Sequence, residues 1–191
     1  MNANPDQEVV ERAVSGDLHA FRMLVSNCQR FAFSLALRLV GNRTDAEDIL
    51  QEVFIRVWKH LPSYRKEVKF TTWLYTIVTN RCLDHLKSRH RKNARLYDGW
   101  EDHPGLTDHE TTDQQLLHEE FRAVVSAMAE VLTPKQRAVF VLRDLEELPV
   151  EEVCIILSMS AGNVKSNLYH ARVRMSELIK RYYAEYKIES R

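Results

Sequence analysis

The sequence predicts an all-α fold: two small helical domains, residues 1–95 and 116–191, joined by a flexible acidic linker over residues 96–115. Three observations lead there. Five glycines and five prolines in 191 residues are too few for the closely spaced turns of an all-β sandwich. Apolar side chains recur at three- and four-residue spacing in both halves, the period of a helix with one buried face. Charge is also segregated: residues 1–95 carry a net +6, residues 96–120 a net −8 without Lys or Arg, and residues 121–191 a net +2. The formal net charge of zero is therefore a cancellation between two mildly basic modules and an acidic strap. A hydrophobic fraction of 45% is enough for a buried core and argues against wholesale disorder.

In the first half, a short amphipathic pattern covers Asp6 to Ser15 and a longer one Asp17 to Val40. The second has Phe21, Leu24, Val25, Cys28, Phe31 and Leu35 as its expected core stripe, and Gly41-Asn42 ends it with residues that tolerate a left-handed cap. Thr44-Asp-Ala-Glu47 reads as a capping box opening a third helix. Its expected buried stripe is Ala46, Ile49, Leu50, Val53, Phe54, Val57 and Leu61. The other face presents Asp48, Gln51, Glu52, Ile55 and Lys59. An isoleucine framed by carboxylates suits a docking surface for a basic partner, although an ordinary solvated face gives the same pattern. Pro62 breaks the helix, and a basic loop, Ser63 to Lys69, leads into a fourth helix from Phe70. Along it Trp73, Ile77, Asn80, Asp84, Lys87 and Arg91 share a stripe that grades from aromatic through amide to basic. Such a stripe supplies stacking, base-edge hydrogen bonds and phosphate contacts to single-stranded nucleic acid. The competing reading is a core tryptophan followed by a soluble basic tail.

The linker, Leu96 to about Gln115, has Gly99, Pro104 and Gly105 and no helical period, and reads as a solvated spacer. Helix resumes from Leu116 to Val131 on a stripe of Leu117, Phe121, Val124, Val125 and Met128. Thr133-Pro-Lys-Gln136 restarts the chain as a capping box with proline at the first helical position, and the helix runs to about Leu145. Pro149 opens a short helix to Leu157, Ser158-Met-Ser160 makes a turn, and Ser160 caps a long helix to about Tyr182. Val164, Leu168, Ala171, Met175, Leu178 and Tyr182 are its inner stripe, and Gly162, Lys165, Ser166, Tyr169, His170 and Val173 its outer face. A short helix, a three-residue turn and a longer helix with a polar-basic face match a helix-turn-helix DNA reader, a pattern that plain packing modules also share.

Cys28, Cys82 and Cys154 are far apart and form no CxxC pair, so core packing in a reducing compartment is expected rather than a disulfide framework. No apolar run approaches the roughly 18 residues of a membrane span and the start MNANPDQEVVERA is polar and acidic, so neither a membrane span nor a secretory signal is expected. His85 and His90 are five apart, the wrong face relation for a shared ion, and HExxH, Walker and nucleophile motifs are missing. Neither an enzyme nor a metal or other cofactor is expected.

Several motifs then stand in a recognisable order: Gly16-Asp17-Leu-His-Ala20-Phe21, Asp45-Ala-Glu-Asp48-Ile-Leu-Gln51-Glu52-Val-Phe54, Phe70-Thr-Thr-Trp73-Leu74, Asn80-Arg81, Leu132-Thr-Pro-Lys-Gln-Arg137, Val150-Glu-Glu-Val153, Gly162-Asn-Val-Lys-Ser166 and Ala171-Arg172. Together the chain resembles bacterial RNA polymerase sigma factors of the extracytoplasmic-function group (group 4). The resemblance implies a sigma-2-like helical bundle and a sigma-4-like helix-turn-helix. It also implies promoter-specific initiation with core RNA polymerase, through the β′ clamp coiled coil and the β flap. Asp45, Asp48, Gln51, Glu52 and Ile55 would dock on the polymerase. Tyr64, Arg65, Phe70, Trp73, Ile77, Asn80, Arg81, Lys87 and Arg91 would take the −10 element, with Arg89 and Lys92 on phosphates. Ser160, Gly162, Lys165, Ser166, Tyr169, His170 and Arg172 would take the −35 element. An anti-sigma factor would be the regulatory partner, and the site of action would be the bacterial cytoplasm, at the nucleoid when active.

The resemblance also gives the acidic linker a second reading, as a strap along the polymerase's active-site and RNA-exit path. On that reading, neutralising Asp98, Glu101, Asp102 and Asp108 would lower holoenzyme stability or alter promoter escape. Departures from the family pattern are His170 and Lys165 where arginine is common, which predicts weaker −35 readout, and Pro149 in place of a hydroxyl residue. A conventional helix-turn-helix regulator with an N-terminal sensing or dimerisation domain is the alternative, and the acidic docking helix is the feature it would not need.

Overall fold

The computed structural model describes residues 5–95, 128 and 131–189, with side chains described for 5–89, 128 and 131–181. Every regular element among the described residues is helical. The expected linker and most of the expected helix from Leu116 to Val131 lie outside them, although Met128 of its stripe is buried in the core as expected, and Leu132 just beyond it is buried too.

The first half is a four-helix bundle. Helix α1 (Gln7–Val14) is capped by the Asp6 carboxylate, which accepts from the Glu8 N–H. Helix α2 (Leu18–Val40) is capped by Asp17 and closed by Gly41 at φ 78°, a left-handed conformation that glycine adopts without a Cβ penalty. Helix α3 (Arg43–His60) begins one residue before the expected box: Asn42 is its cap, accepting from the Asp45 N–H at 3.0 Å. Thr44 is already inside the helix, and Glu47 turns to Arg43 at 3.0 Å instead of reaching back. Asparagine supplies the same kind of acceptor two residues earlier, so the predicted box is not needed to start the helix. A 3₁₀ turn with Pro62 (Leu61–Ser63) leads through the basic loop into helix α4 (Phe70–Arg95).

The inner stripe of α2 also differs from expectation. Ala20, Leu24, Cys28, Ala32, Leu35 and Leu39 are buried, whereas Phe21, Val25 and Phe31 are only half-buried. Small residues at 20, 28 and 32 allow neighbouring helices to approach closely, and the bulkier phenylalanines lie at the rim.

In the second half, helix α5 (Pro134–Phe140) has the predicted Thr133–Gln136 capping box, with both hydrogen bonds formed. It widens into a π turn, Val141–Leu145. Helix α6 (Val150–Leu157) follows Pro149, which sits at the cap position just before the helix. Ser158 then turns the chain in a left-handed conformation, φ 51°. Helix α7 (Ala161–Glu189) starts on Ser160, whose Oγ accepts from the Asn163 N–H at 3.3 Å. It buries Val164, Leu168, Ala171 and Met175 and runs past the expected end at Tyr182.

The two halves share one contiguous apolar core, with α4 against α6 and α2 against α5. Polar contacts frame this seam. Arg137, buried to 4% exposure, donates from Nη1 to the Leu39 carbonyl at 2.8 Å, and Glu152 accepts from Lys69 and Thr72, both at 3.0 Å. Cys28 and Cys82 are free and fully buried, as the sequence led us to expect, while Cys154 is free and half-buried at the rim.

Candidate nucleic-acid and partner interfaces

The outward face of α3 carries Asp48, Gln51, Glu52 and Ile55, all exposed, with Ile55 at 55%; Asp45 is half-buried. Ile55 is not isolated. It edges an apolar groove of about 570 Å³ between α2 and α3, lined also by Leu18, Phe21, Val25, Phe54 and Trp58. Phe21 and Trp58 pack with ring centroids 4.7 Å apart. Sequence reasoning missed this groove because Phe21 and Val25 read as core and Trp58 belonged to no stripe. The available signal was Leu18 and Trp58, two large apolar residues off the buried stripes of adjoining helices.

Two of the five expected docking residues are engaged from α4. Glu52 receives a bidentate pair from Arg81, Nε to Oε2 at 2.5 Å and Nη2 to Oε1 at 2.8 Å. That guanidinium holds the Glu52 carboxyl below the usual range. Asp45 accepts from Arg89 at 3.1 Å, with His85 Nε2 at 3.3 Å.

The expected −10 residues divide into a fixed cluster and an open face. Tyr64, Phe70 and Trp73 form an aromatic triangle with centroids 5.3–5.7 Å apart. The Tyr64 hydroxyl donates to the Val68 carbonyl at 2.8 Å, which pins the loop beneath it. Phe70 is 5% exposed; it packs the loop onto α4 and lines the wall of a cleft. That cleft, about 340 Å³, is lined by Pro5, Gln7, Tyr64, Lys66, Lys69 and Phe70 among others, and Lys66, Lys69 and Gln7 were not singled out from sequence. Trp73 and Ile77 are half-buried, Arg65 and Asn80 exposed, and Lys87 exposed beside Asp84 at 3.6 Å. The Arg91 and Lys92 side chains lie outside the described residues.

On α7, Ser160, Gly162, Lys165, Ser166, Tyr169, His170 and Arg172 are all exposed and share the outward face, with Tyr169 at 66%. Arg172 differs from the rest because Asp144 of the π turn binds it bidentately at 2.8 and 2.7 Å. The widened turn brings an aspartate against α7, a contact that helical periodicity alone does not foretell.

The two halves define a two-module transcription factor of the Sigma-70 type: the model of Sigma-70 region 2 matches residues 24–92, and that of Sigma-70, region 4, matches residues 122–175. The RNA polymerase sigma-H factor of Pseudomonas aeruginosa is 32% identical over 87% of this chain and 90% of its own length. The ECF RNA polymerase sigma-E factor of Escherichia coli K12 is 33% identical over 87% of this chain and 90% of its own length. A crystal structure of the sigma factor RpoE with the anti-sigma factor NepR, from Bartonella quintana, aligns with TM-score 0.67 over 84% of this chain and 96% of that one, at 20% identity, and shares the fold. The chain belongs to the ECF RNA polymerase sigma factors.

Proposed function

We propose that this sigma factor directs promoter-specific initiation by dividing the work among three surfaces. The observation that carries this reading is exposure: the acidic-apolar face of α3, the loop cleft with the adjoining face of α4, and the outer face of α7 each carry solvent-exposed side chains. On α3, Asp48, Gln51, Glu52 and Ile55 meet a basic surface of core polymerase, the β′ clamp coiled coil, with Asp45 at the edge. The β flap is the second polymerase contact. Ile55 and the groove beside it give that docking an apolar centre within a charged rim, the usual anatomy of a tight interface.

The −10 element is trapped at the cleft. Unstacking a base costs a few kcal/mol, which stacking, hydrogen bonds and desolvation in a shaped pocket offset. Tyr64, Phe70 and Trp73 hold the pocket wall rigid; Asn80 and Ile77 offer an amide and an apolar edge; Arg65, Lys66 and Lys69 supply positive charge for the backbone. Lys87, Arg89 and the end of α4 continue that charge along the strand. At the −35 element α7 enters the major groove, Lys165, Ser166, Tyr169 and His170 facing the bases and Ser160 and Gly162 placing amides near a phosphate. None of these steps is catalytic: the chain is a specificity factor for an enzyme that does the chemistry. An anti-sigma factor that covers the α2–α3 groove or the α3 face would switch it off, and its place of action is the bacterial cytoplasm.

Ile55→Arg in the full chain tests the division of labour. Loss of co-purification with core polymerase, with −35 duplex affinity unchanged, is the expected result. A conventional helix-turn-helix regulator would show no core association in the wild type and no effect of the substitution on any interaction.

A further inference from the structure

The α3 and α4 helices are joined by a two-rung electrostatic ladder that links two surfaces with different partners. Arg81, His85 and Arg89 lie at i, i+4 and i+8 on α4, one stripe of one face. Across the helix pair, Glu52 binds Arg81 bidentately at 2.5 and 2.8 Å, and Asp45 binds Arg89 at 3.1 Å beside His85 at 3.3 Å. The rungs are neither deep nor fully exposed: side-chain exposure is 48% for Glu52, 18% for Arg81, 25% for Asp45 and 46% for Arg89. Asp48, between them on α3, is exposed and takes no part in the two rungs.

Resting on the functional reading above, we propose that Glu52 and Asp45 are positioning residues that hold Arg81 and Arg89 off the DNA in the free chain, and that a basic partner surface docking on α3 releases them. The same two carboxylates serve both faces. When ammonium or guanidinium groups of the docked surface take up Glu52 and Asp45, the α4 guanidiniums exchange a carboxylate for a phosphate as partner. Linkage makes the effect reciprocal: a strand that draws Arg81 and Arg89 away frees both carboxylates, and docking tightens by the same factor. A half-exposed ion pair is the right strength for such an exchange, strong enough to bias the arginines and weak enough to be displaced.

The test uses the full-length chain without polymerase and a fluorescent single-stranded oligonucleotide carrying the non-template −10 sequence. Glu52→Gln is expected to raise affinity ~threefold, the size of a released half-exposed pair. It also steepens the slope of log K against log salt by about 0.7, one additional phosphate contact on a single strand. Asp48→Asn makes the same charge change on the same face and is expected to leave that slope unaltered. In the Glu52→Gln/Arg81→Gln double variant the steepening disappears. Asp45→Asn repeats the effect through Arg89, so one poorly folded variant does not decide the matter. Equal slopes for Glu52→Gln, Asp45→Asn and Asp48→Asn would overturn the ladder's role while leaving the docking and DNA surfaces as assigned. Indifference of affinity to Arg81→Gln in both backgrounds would instead remove Arg81 from the DNA surface and the ladder proposal with it.

Discussion

Glu146 is shared between the two halves of the chain: one carboxylate oxygen accepts from Arg38 at 2.5 Å and the other from the Tyr75 hydroxyl at 2.8 Å. Both partners belong to the first bundle, while Glu146 follows the π turn of the second. The three groups are largely screened from solvent, with Glu146 16% and Arg38 25% exposed. Their removal therefore strands polar atoms more than a surface pair would.

Glu146→Ala is expected to lower stability by about 1–3 kcal/mol, because it leaves the Arg38 and Tyr75 groups without their acceptor. Urea unfolding at pH 7 measures it. Lys69→Ala removes a much more exposed partner at the same seam, and its cost is expected to stay within about 1 kcal/mol. Equal losses would mean the seam is held by its apolar core alone.

The start of α3 provides a second test. Asn42→Ala is expected to cost about 1 kcal/mol, the usual worth of an N-cap acceptor, and Thr44→Ala only a few tenths. A larger loss at Thr44, read from thermal unfolding, would restore the box that the sequence suggested.

Alkaline pH should destabilise the fold through buried acids that resist ionising. Burial pushes the Cys28 thiol from 9.0 up to about 11 and the Cys82 thiol up to about 12. Burial also raises the Tyr75 phenol, with the Glu146 charge adding to it. Above the ordinary thiol range the unfolded chain loses these protons while the folded chain keeps them. The unfolded state then binds fewer protons, so stability falls with rising pH through that window. Urea midpoints from pH 8 to 10.5 are expected to decline, and Cys82→Ala should flatten the decline even though it lowers stability at pH 8. A midpoint that rises over this range would contradict the assignment.

On α7, Lys165→Gln removes a cation that faces the bases, so it is expected to weaken −35 duplex binding and relax base preference at its position. The salt slope is lowered by no more than about 0.9, the share of one positive charge at B-DNA. Arg172→Gln should act differently, since Asp144 already occupies two of its donors: most of its loss appears in thermal stability and little in the slope. His170→Arg adds a charged bidentate fork to the outer face and should raise affinity. Fluorescence anisotropy across a salt series separates the three variants, and an unchanged or lower affinity for His170→Arg would contradict the last expectation.

Much of this was readable from the chain because helices encode themselves locally. The Thr133–Gln136 box and Gly41 cap their helices as read, and Val164, Leu168, Ala171 and Met175 of α7 are buried as the three- and four-residue spacing demands. Leu178 of the same stripe is half-buried, and the Tyr182 side chain lies outside the described residues. Asn42 was misjudged because it and Thr44 are both competent caps two residues apart, and only the backbone path selects one. The α2–α3 groove was hidden because periodicity says which residues share a face, not which neighbour covers it; Phe21 and Val25 lie on the apolar side of α2 but at its uncovered edge. Arg81 with Glu52, Arg172 with Asp144 and Glu146 with Tyr75 are 29, 28 and 71 residues apart. Charge pairs at such separations follow from tertiary packing, and no local pattern announces them. The family resemblance supplied the roles, and the structure shows which role-bearing side chains already have partners.

Reconstituted run-off transcription tests the central claim most directly. The purified chain is added to core RNA polymerase on a library of promoter fragments, and specific transcripts are scored with and without it. Discrete transcripts that require the chain, start at defined positions and vanish with Ile55→Arg are the predicted result. Core polymerase that yields the same transcripts with and without the chain on every fragment, and a chain that does not associate with core, would contradict it.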